Sequence, residues 1–408
     1  MSEPLVIVGN GMAAMRLVEE LHQRALGRYA IAVIGEEPRV AYNRVLLSAV
    51  LAHEISRGDI ELKPVRWWRD SGITLLVGHR ATEIDPMSNR VRLASGASIP
   101  FRKLVLATGS RPIRLTVPGM NLPGVLTFRD LGDVGAIEQA AARNKKAVVI
   151  GGGLLGLEAA YGLAKAGIEV SVLHLMDRLM ERQLDPHAAA MLKQAIESKG
   201  IAVYLNAETT HIAGRTHAEG VRLRDGSELK ADLVVVAAGV RPNVELAHTA
   251  GIEFDRGIIV NDQLQTSRPD IYAIGECAEH RGVCYGLVEP AYEQARTLAV
   301  HLAGKAASYP GSISATNLKV SGVNVFSAGD FIGAAGTEQI VLSDPGLGIY
   351  KKLVVAAGKL IGAVLFGDTA DGLWYLDLIR SGEPIEAIRD DMIFGRALVE
   401  NRAIRRAA

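Results

Sequence analysis

The chain predicts two doubly wound α/β domains followed by a smaller C-terminal α+β domain, and three observations carry this. Two glycine fingerprints, Gly9-Asn10-Gly11-Met12-Ala13-Ala14 and Gly151-Gly152-Gly153-Leu154-Leu155-Gly156, each follow an apolar run that reads as a buried strand, Leu5–Val8 and Ala147–Ile150. Each half then closes on a related motif, Ala107-Thr108-Gly109-Ser110-Arg111-Pro112 in the first and Ala237-Ala238-Gly239-Val240-Arg241-Pro242-Asn243 in the second. From about Ser312 the texture changes to short strand-like runs separated by glycine-rich turns.

The fingerprints carry a physical requirement. The first glycine (Gly9, Gly151) makes the strand-to-helix turn, and the second (Gly11, Gly153) lets backbone approach a pyrophosphate. The third small residue (Ala14, Gly156) seats the helix against the strand. Met12, Ala13, Leu154 and Leu155 open the two helices, where free N–H groups and the positive end of the helix dipole face the phosphates. Two such units read as Rossmann-like domains, so one chain is expected to bind two dinucleotides. In each half an acid about twenty residues on should take a ribose hydroxyl. Glu36 stands there in the first half, after the strand Ala30–Gly35, but the second half has His174 after Glu169–Leu173. Without a carboxylate a 2′-phosphate is not repelled, and Arg178 can attract it.

A third marker, Ile271-Tyr272-Ala273-Ile274-Gly275-Glu276-Cys277, reads as a short strand ending in Gly-acid. Glu289-Pro290 then opens a helix, Ala291–Leu302, with Pro290 in its first turn. The last segment supplies strand-like runs over Asn317–Val325, Ile340–Leu342, Tyr350–Ala356 and Lys359–Phe366, then a helix over Leu373–Arg380.

Composition excludes several classes. Lys+Arg and Asp+Glu are both 45 in 408 residues, so no global charge attracts nucleic acid or an anionic membrane. No stretch approaches the roughly 20 apolar residues of a membrane span, and the N-terminus runs into a strand without a leader. A soluble, cytoplasmic protein is expected. Cys277 and Cys284 are the only cysteines, too few for a four-thiolate cluster or a four-cysteine zinc site. No metal site is expected, and without an early cysteine a thiol mechanism is disfavoured.

Taken together, these motifs resemble the two-dinucleotide flavoprotein reductases of the pyridine nucleotide–disulfide oxidoreductase superfamily. Three stretches, Ala41–Ser48, Val172–Asp185 and Ile274–His280, with Lys319-Val320-Ser321-Gly322 and Phe326–Asp330, look like the flavoprotein part of bacterial assimilatory NAD(P)H nitrite reductases and nitrate reductase electron-transfer subunits. The resemblance implies a discontinuous FAD-binding domain (1–112 and 244–311), an NAD(P)H-binding domain (113–243) and a C-terminal α+β domain (312–408). It puts Gly9, Gly11, Ala14 and Glu36 on the FAD pyrophosphate and adenosine ribose, Ser48, Ala107, Thr108 and Gly109 along the cofactor, and Gly275 and Glu276 at the ribityl chain. The family usually has Asp where this chain has Glu276. Gly151, Gly153, Leu154, Leu155, Gly156, Glu158, His174, Arg178 and Gly239 fall to the nicotinamide nucleotide, with NADH the expected donor and NADPH the alternative.

The reaction so implied takes hydride from NAD(P)H and passes electrons to a separate partner protein carrying iron–sulfur, sirohaem or molybdopterin centres. Full-length nitrite reductases continue into cysteine-rich regions, so this chain is expected not to reduce nitrite by itself. Several residues keep two readings. Arg44 either neutralises a flavin phosphate or binds the acceptor, or is a solvated surface arginine. Glu158 either contacts nicotinamide or is a first-turn acid stabilised by its helix dipole, worth about 0.5 kcal/mol; the lysine that pairs with it in related ferredoxin reductases is replaced by Ala49. The helix behind Glu289-Pro290 either faces the flavin N1/C2=O edge or is an ordinary Pro-started helix. Tyr42, Trp67 and Trp68 shape a docking surface or simply pack. A ferredoxin or rubredoxin reductase for another pathway, and an NADH-responsive flavoprotein sensor or scaffold, stay open as alternatives, and a homodimer is allowed.

Overall fold

The structure is a computed structural model that describes residues 2–143, 145–320 and 322–407. Ser321, within one of the stretches that carries the resemblance, lies outside the described residues. The chain forms two compact units: Met1–Pro112, Arg129–Leu131 and Val240–Ser312 make the first, and Ile113–Phe128, Gly132–Gly239 and Ile313–Ala408 the second.

The first unit is built on a five-stranded sheet in the order Ile271–Ala273, Lys103–Leu106, Glu3–Val8, Tyr29–Gly35, Thr74–Val77, with every neighbouring pair parallel. Strands buried on both faces need unbroken apolar runs, and Leu5 to Val8 and Leu104 to Leu106 are accordingly buried. The helices Met12–Arg24 and Val288–Leu302 pack on this sheet and share its core through Leu17, Val18, Leu21, Ala295, Leu298 and Leu302. The latter helix begins three residues before the expected Ala291, with Leu287 as its N-cap and Pro290 inside the first turn.

The second unit repeats the plan: Ala202–Tyr204, Glu169–Leu173, Lys146–Ile150, Leu233–Val236, Val125–Thr127, again all parallel. Each unit also carries a three-stranded antiparallel sheet at the same point in its order, Ala81–Asp85 to Ser98–Pro100 in one and Thr209–Ala213 to Glu228–Lys230 in the other. The repeat seen in the sequence is therefore a repeat of whole domains.

The two closing motifs are not simple stops. Ser110–Pro112 is itself a short strand and pairs antiparallel with Val240–Pro242, Arg241 opposite Arg111, so the two copies of the motif are zipped together within the first unit. Pro112 ends the element as expected, but only after a strand that the sequence reading had not placed.

The C-terminal region folds as a five-stranded antiparallel sheet, Ala315–Val320, Val323–Gly329, Lys359–Phe366, Ile349–Ala356, Glu338–Asp344, with the helix Gly372–Ser381 packed on it. The expected single run Asn317–Val325 is two strands turning at Gly322, whose φ of +86° suits glycine. This sheet is tied into the second unit by a buried polar knot. Asp185, N-cap of the helix Pro186–Glu197, accepts from Ala188 N at 3.0 Å and from the Tyr350 hydroxyl at 2.7 Å, with Lys352 Nζ 3.8 Å away. Among the described residues, no helix is long and apolar enough to cross a membrane.

Candidate functional site

The two fingerprints fold into matching cradles. Gly9 has φ +113°, and a Cβ there would lie 2.0 Å from the Ala107 carbonyl oxygen; Gly151 has φ +129°, and its Cβ would lie 2.2 Å from the Ala237 oxygen. In each half the first glycine is therefore pressed against the end of the neighbouring strand. The second glycines behave oppositely: a Cβ on Gly11 or Gly153 would meet nothing within 4 Å. Both are N-caps with no side-chain hydrogen bond to the helix behind them, and neither helix has an acid in its first turn. The orphan N–H groups at Met12, Ala13, Leu154 and Leu155 thus open onto space at the positive end of a helix, which suits an anion. Gly156 closes the second cradle, since its Cβ would lie 1.9 Å from the Gly151 oxygen.

In the first unit a further turn meets the cradle. Gly275 has φ +79°, its Cβ would come 3.0 Å from Ala13 Cβ, and its N–H donates to Gln294 Oε1 at 2.7 Å. Gln294 is fully buried, so its amide anchors this turn from within the core. Glu276, next in the chain, accepts from Ser110 Oγ at 2.8 Å and pairs with the Arg129 guanidinium, which also donates to Ser110 Oγ at 2.9 Å. Thr108 and Gly109 are clasped from the other side by Asn243, whose Nδ2 donates to the Thr108 carbonyl at 2.8 Å and whose N–H donates to that of Gly109 at 2.9 Å. Ala107 is buried at the strand end.

Glu36 follows its strand as expected, largely exposed and 3.7 Å from Arg80. The neighbouring Glu37 pairs with Arg44, accepts from the Tyr42 hydroxyl at 2.7 Å, and so balances the arginine's charge. Arg44 also donates to the Tyr42 oxygen at 3.0 Å and to the Arg129 carbonyl at 3.3 Å, and lies over the Tyr42 ring at 4.9 Å. The solvated reading of Arg44 is thereby corrected. Burial pushes the Tyr42 phenol up, which keeps it a hydrogen-bond donor to Glu37. Ser48 lies one residue into the short helix Leu47–Leu51. Trp68 is buried in the core of the first unit and Trp67 packs against it, while Tyr42 is buried beside Glu37 and Arg44.

One further expectation changes. Glu158 is the fifth residue of the helix Leu154–Lys165, beyond its first turn, so the first-turn dipole role does not apply. Glu289 does lie in the first turn of its helix, but its carboxylate is taken by Arg296 at 2.7 Å. Gly239 adopts φ +106° and its carbonyl accepts from Ile113 N at 3.0 Å, which marks a crossing point of the chain. His174 is buried beneath the second cradle. Its Nδ1 accepts the Gly152 N–H at 3.0 Å and its Nε2 lies 3.1 Å from Glu181, while Arg178 Nη1 lies 3.0 Å from Asp177. Sequence reasoning missed Arg129, Gln294, Asn243 and Glu181. Arg129 carried a faint signal, as a cation in the Thr127–Leu131 segment, but its partners are distant in sequence.

The cysteines are buried or half-buried thiols. Cys277 Sγ lies 3.3 Å from the Ile274 carbonyl and 3.4 Å from that of Leu106, and burial pushes its thiol up. Among the described residues no cluster of metal-ligating side chains occurs.

With twin cradles on twin sheets established, comparison with known proteins decides the family. Residues 3–299 match the family described as pyridine nucleotide-disulphide oxidoreductase, and residues 315–383 match the rubredoxin NAD+ reductase C-terminal domain. The chain belongs to the pyridine nucleotide-disulphide oxidoreductase family. It is 47% identical over 377 residues to a nitrite reductase [NAD(P)H] of Bacillus subtilis, covering 92% of this chain and 47% of that protein. It is 44% identical over 390 residues to the assimilatory nitrate reductase electron transfer subunit of the same organism, covering 95% and 51% respectively. The chain therefore spans about half the length of these relatives. A ferredoxin reductase from Rhodopseudomonas palustris superposes with a TM-score of 0.86 at 32% identity, covering 95% of this chain and 97% of that one. The family and the two-domain plan with its C-terminal addition agree with the reading from sequence.

Proposed function

We propose that this chain is an FAD-containing, NAD(P)H-dependent reductase that takes hydride from NADH and passes electrons to a separate metal-containing partner of assimilatory nitrate or nitrite reduction, in the cytoplasm. FAD, when bound, accepts a hydride and releases its electrons one at a time. The observation that carries the reading is the pair of matched cradles, Gly9/Gly11 and Gly151/Gly153, one in each unit.

The chain's own residues do the holding. Gly11, Met12 and Ala13 offer the anion-binding end for the FAD pyrophosphate, with Gly9 and Ala14 letting the turn close and Glu36 placed for the adenosine ribose. Ser110 and Arg129 steady Glu276 beside the turn at Gly275, which Gln294 anchors. Gly153, Leu154 and Leu155 hold the nicotinamide nucleotide in the second unit. The fit is good because both openings lack a blocking side chain and a repelling first-turn acid.

The similarity to two proteins of nitrogen assimilation supports that partner class. A second reading, a reductase serving a rubredoxin or ferredoxin, is favoured by the match of residues 315–383 to the rubredoxin NAD+ reductase C-terminal domain. Anaerobic mixing with reduced nucleotide, followed by each candidate acceptor, separates them. Reoxidation by a nitrate or nitrite reductase partner at least tenfold faster than by ferredoxin or rubredoxin supports the first, and the reverse order supports the second.

A further inference from the structure

In a doubly wound nucleotide site, the residue just past the second strand normally supplies the carboxylate that takes the adenosine ribose 2′-hydroxyl. In the second unit that residue is His174, only 8% exposed, and both its ring nitrogens are spent. Because Nδ1 accepts the Gly152 N–H, it carries no proton, so the proton lies on Nε2 and is donated to Glu181. The ring is thus a neutral spacer between the glycine loop and a carboxylate seven residues further on.

The spacer is firmly seated. A Cβ on Gly152 would fall 2.6 Å from both His174 Cγ and Leu179 Cδ2, and the Met180 N–H donates to the Gly152 carbonyl at 3.1 Å. The Gly152 N–H and the Gly152 carbonyl are therefore both tied to the segment from His174 to Glu181. Glu181 itself keeps a quarter of its side chain exposed, so its carboxylate is held yet accessible. Arg178, the charge that would draw in a 2′-phosphate, already has Asp177 3.0 Å from its Nη1.

We propose that Glu181, held by the His174 ring, is the specificity-determining carboxylate of this site: it takes the ribose hydroxyls of NADH and repels the 2′-phosphate of NADPH, with His174 as its positioning residue. The proposal rests on the reading that the second cradle binds a nicotinamide nucleotide. It differs from a general role in holding the loop because it requires discrimination between two ligands that share every other group.

The test uses the flavin-loaded 408-residue chain and measures calorimetric binding of ADP-ribose and of its 2′-phosphorylated form, with flavin absorbance and melting temperature as controls of folding. Wild type should favour ADP-ribose. Glu181→Gln should weaken ADP-ribose and strengthen the 2′-phosphate form, shifting their ratio by on the order of tenfold or more, as expected for loss of a charged hydrogen-bond acceptor. Glu181→Asp should restore part of the preference. His174→Ala should reduce the preference, and His174→Gln, which keeps a donor and an acceptor, should retain more of it. A structural defect would lower both affinities together and leave the ratio unchanged. An unchanged ratio in Glu181→Gln, with ADP-ribose still bound, overturns the proposal while the nucleotide site stands. So does a wild-type preference for the 2′-phosphate form that Arg178→Gln abolishes. Failure of wild type to bind either compound would instead remove the underlying reading of the second cradle.

Discussion

Exchange of the two glycines of the first cradle for alanine should produce separable effects. In Gly9→Ala the new methyl would stand 2.0 Å from the Ala107 oxygen and 2.5 Å from its carbon, well inside the 3.0 Å below which real Cβ atoms essentially never come. Neither side yields easily, because Gly9 N donates to Ile34 O and Ala107 N donates to Val8 O, each at 2.8 Å. Overpacking costs about 1–3 kcal/mol, and holding alanine at φ +113° about another 1–3 kcal/mol. The sum, about 2–6 kcal/mol, is more than a tenfold loss of correctly folded cradle. Gly11→Ala is different, because its φ of −102° suits alanine and nothing lies within 4 Å. Loss of a preferred N-cap residue and gain in backbone stiffness roughly cancel, leaving apoprotein stability within about 1 kcal/mol. On the proposed reading of this cradle, the methyl occupies the place where backbone approaches the pyrophosphate. Thermal unfolding of the apoproteins and flavin titration of each should therefore show Gly9→Ala losing both stability and FAD, and Gly11→Ala losing FAD alone. Wild-type FAD affinity in Gly11→Ala, with an unchanged melting point, would refute the assignment of that opening to the cofactor.

Other consequences follow from the same structure. Gly153→Ala, with equally open surroundings, should abolish tight NADH binding while flavin content stays at the wild-type level, checked by calorimetry and absorbance. Asp185→Ala removes the partner of a buried Tyr350 hydroxyl and leaves buried Lys352 without its nearest carboxylate, so urea unfolding should show about 3–5 kcal/mol lost. Arg129→Ala should release Glu276 and lower flavin affinity, whereas Arg129→Lys should restore only part of it, because one ammonium cannot reproduce the guanidinium fork. The Cys284 thiol is pushed up to about 11 by burial and then by the Glu279 carboxylate. A raised value keeps the group protonated at pH 8 and gives way to thiolate only as pH climbs toward 11. Native protein should accordingly react with a disulfide reagent at least tenfold more slowly at pH 8 than the unfolded chain, and speed up above pH 10; equal rates would contradict the burial seen here.

Much of this architecture was legible before the structure, for identifiable reasons. The cradles were readable because glycine positions and apolar runs are local, and positive φ at Gly9 and Gly151 leaves glycine almost no substitute. The C-terminal strands were readable from their apolar runs, except that a turn at Gly322 inside one run was missed. What stayed hidden depends on contacts between distant residues. Spacing singled out Glu36, but it could not show that Glu37 compensates Arg44 or that Arg129 reaches Glu276. The sequence shows a histidine where a carboxylate is usual, yet only the hydrogen bonds of its ring reveal that both nitrogens are engaged, one of them by Glu181. The antiparallel pairing of the two closing motifs was likewise invisible, since each reads alone as a turn.

The most direct test of the central claim is anaerobic stopped-flow absorbance of the purified, flavin-loaded protein mixed first with NADH and then with a nitrate or nitrite reductase partner. Rapid bleaching of the flavin band by NADH and prompt recovery on adding that partner are expected. Absence of bleaching would contradict hydride transfer outright, and bleaching followed by recovery only with an unrelated carrier would contradict the assigned partner.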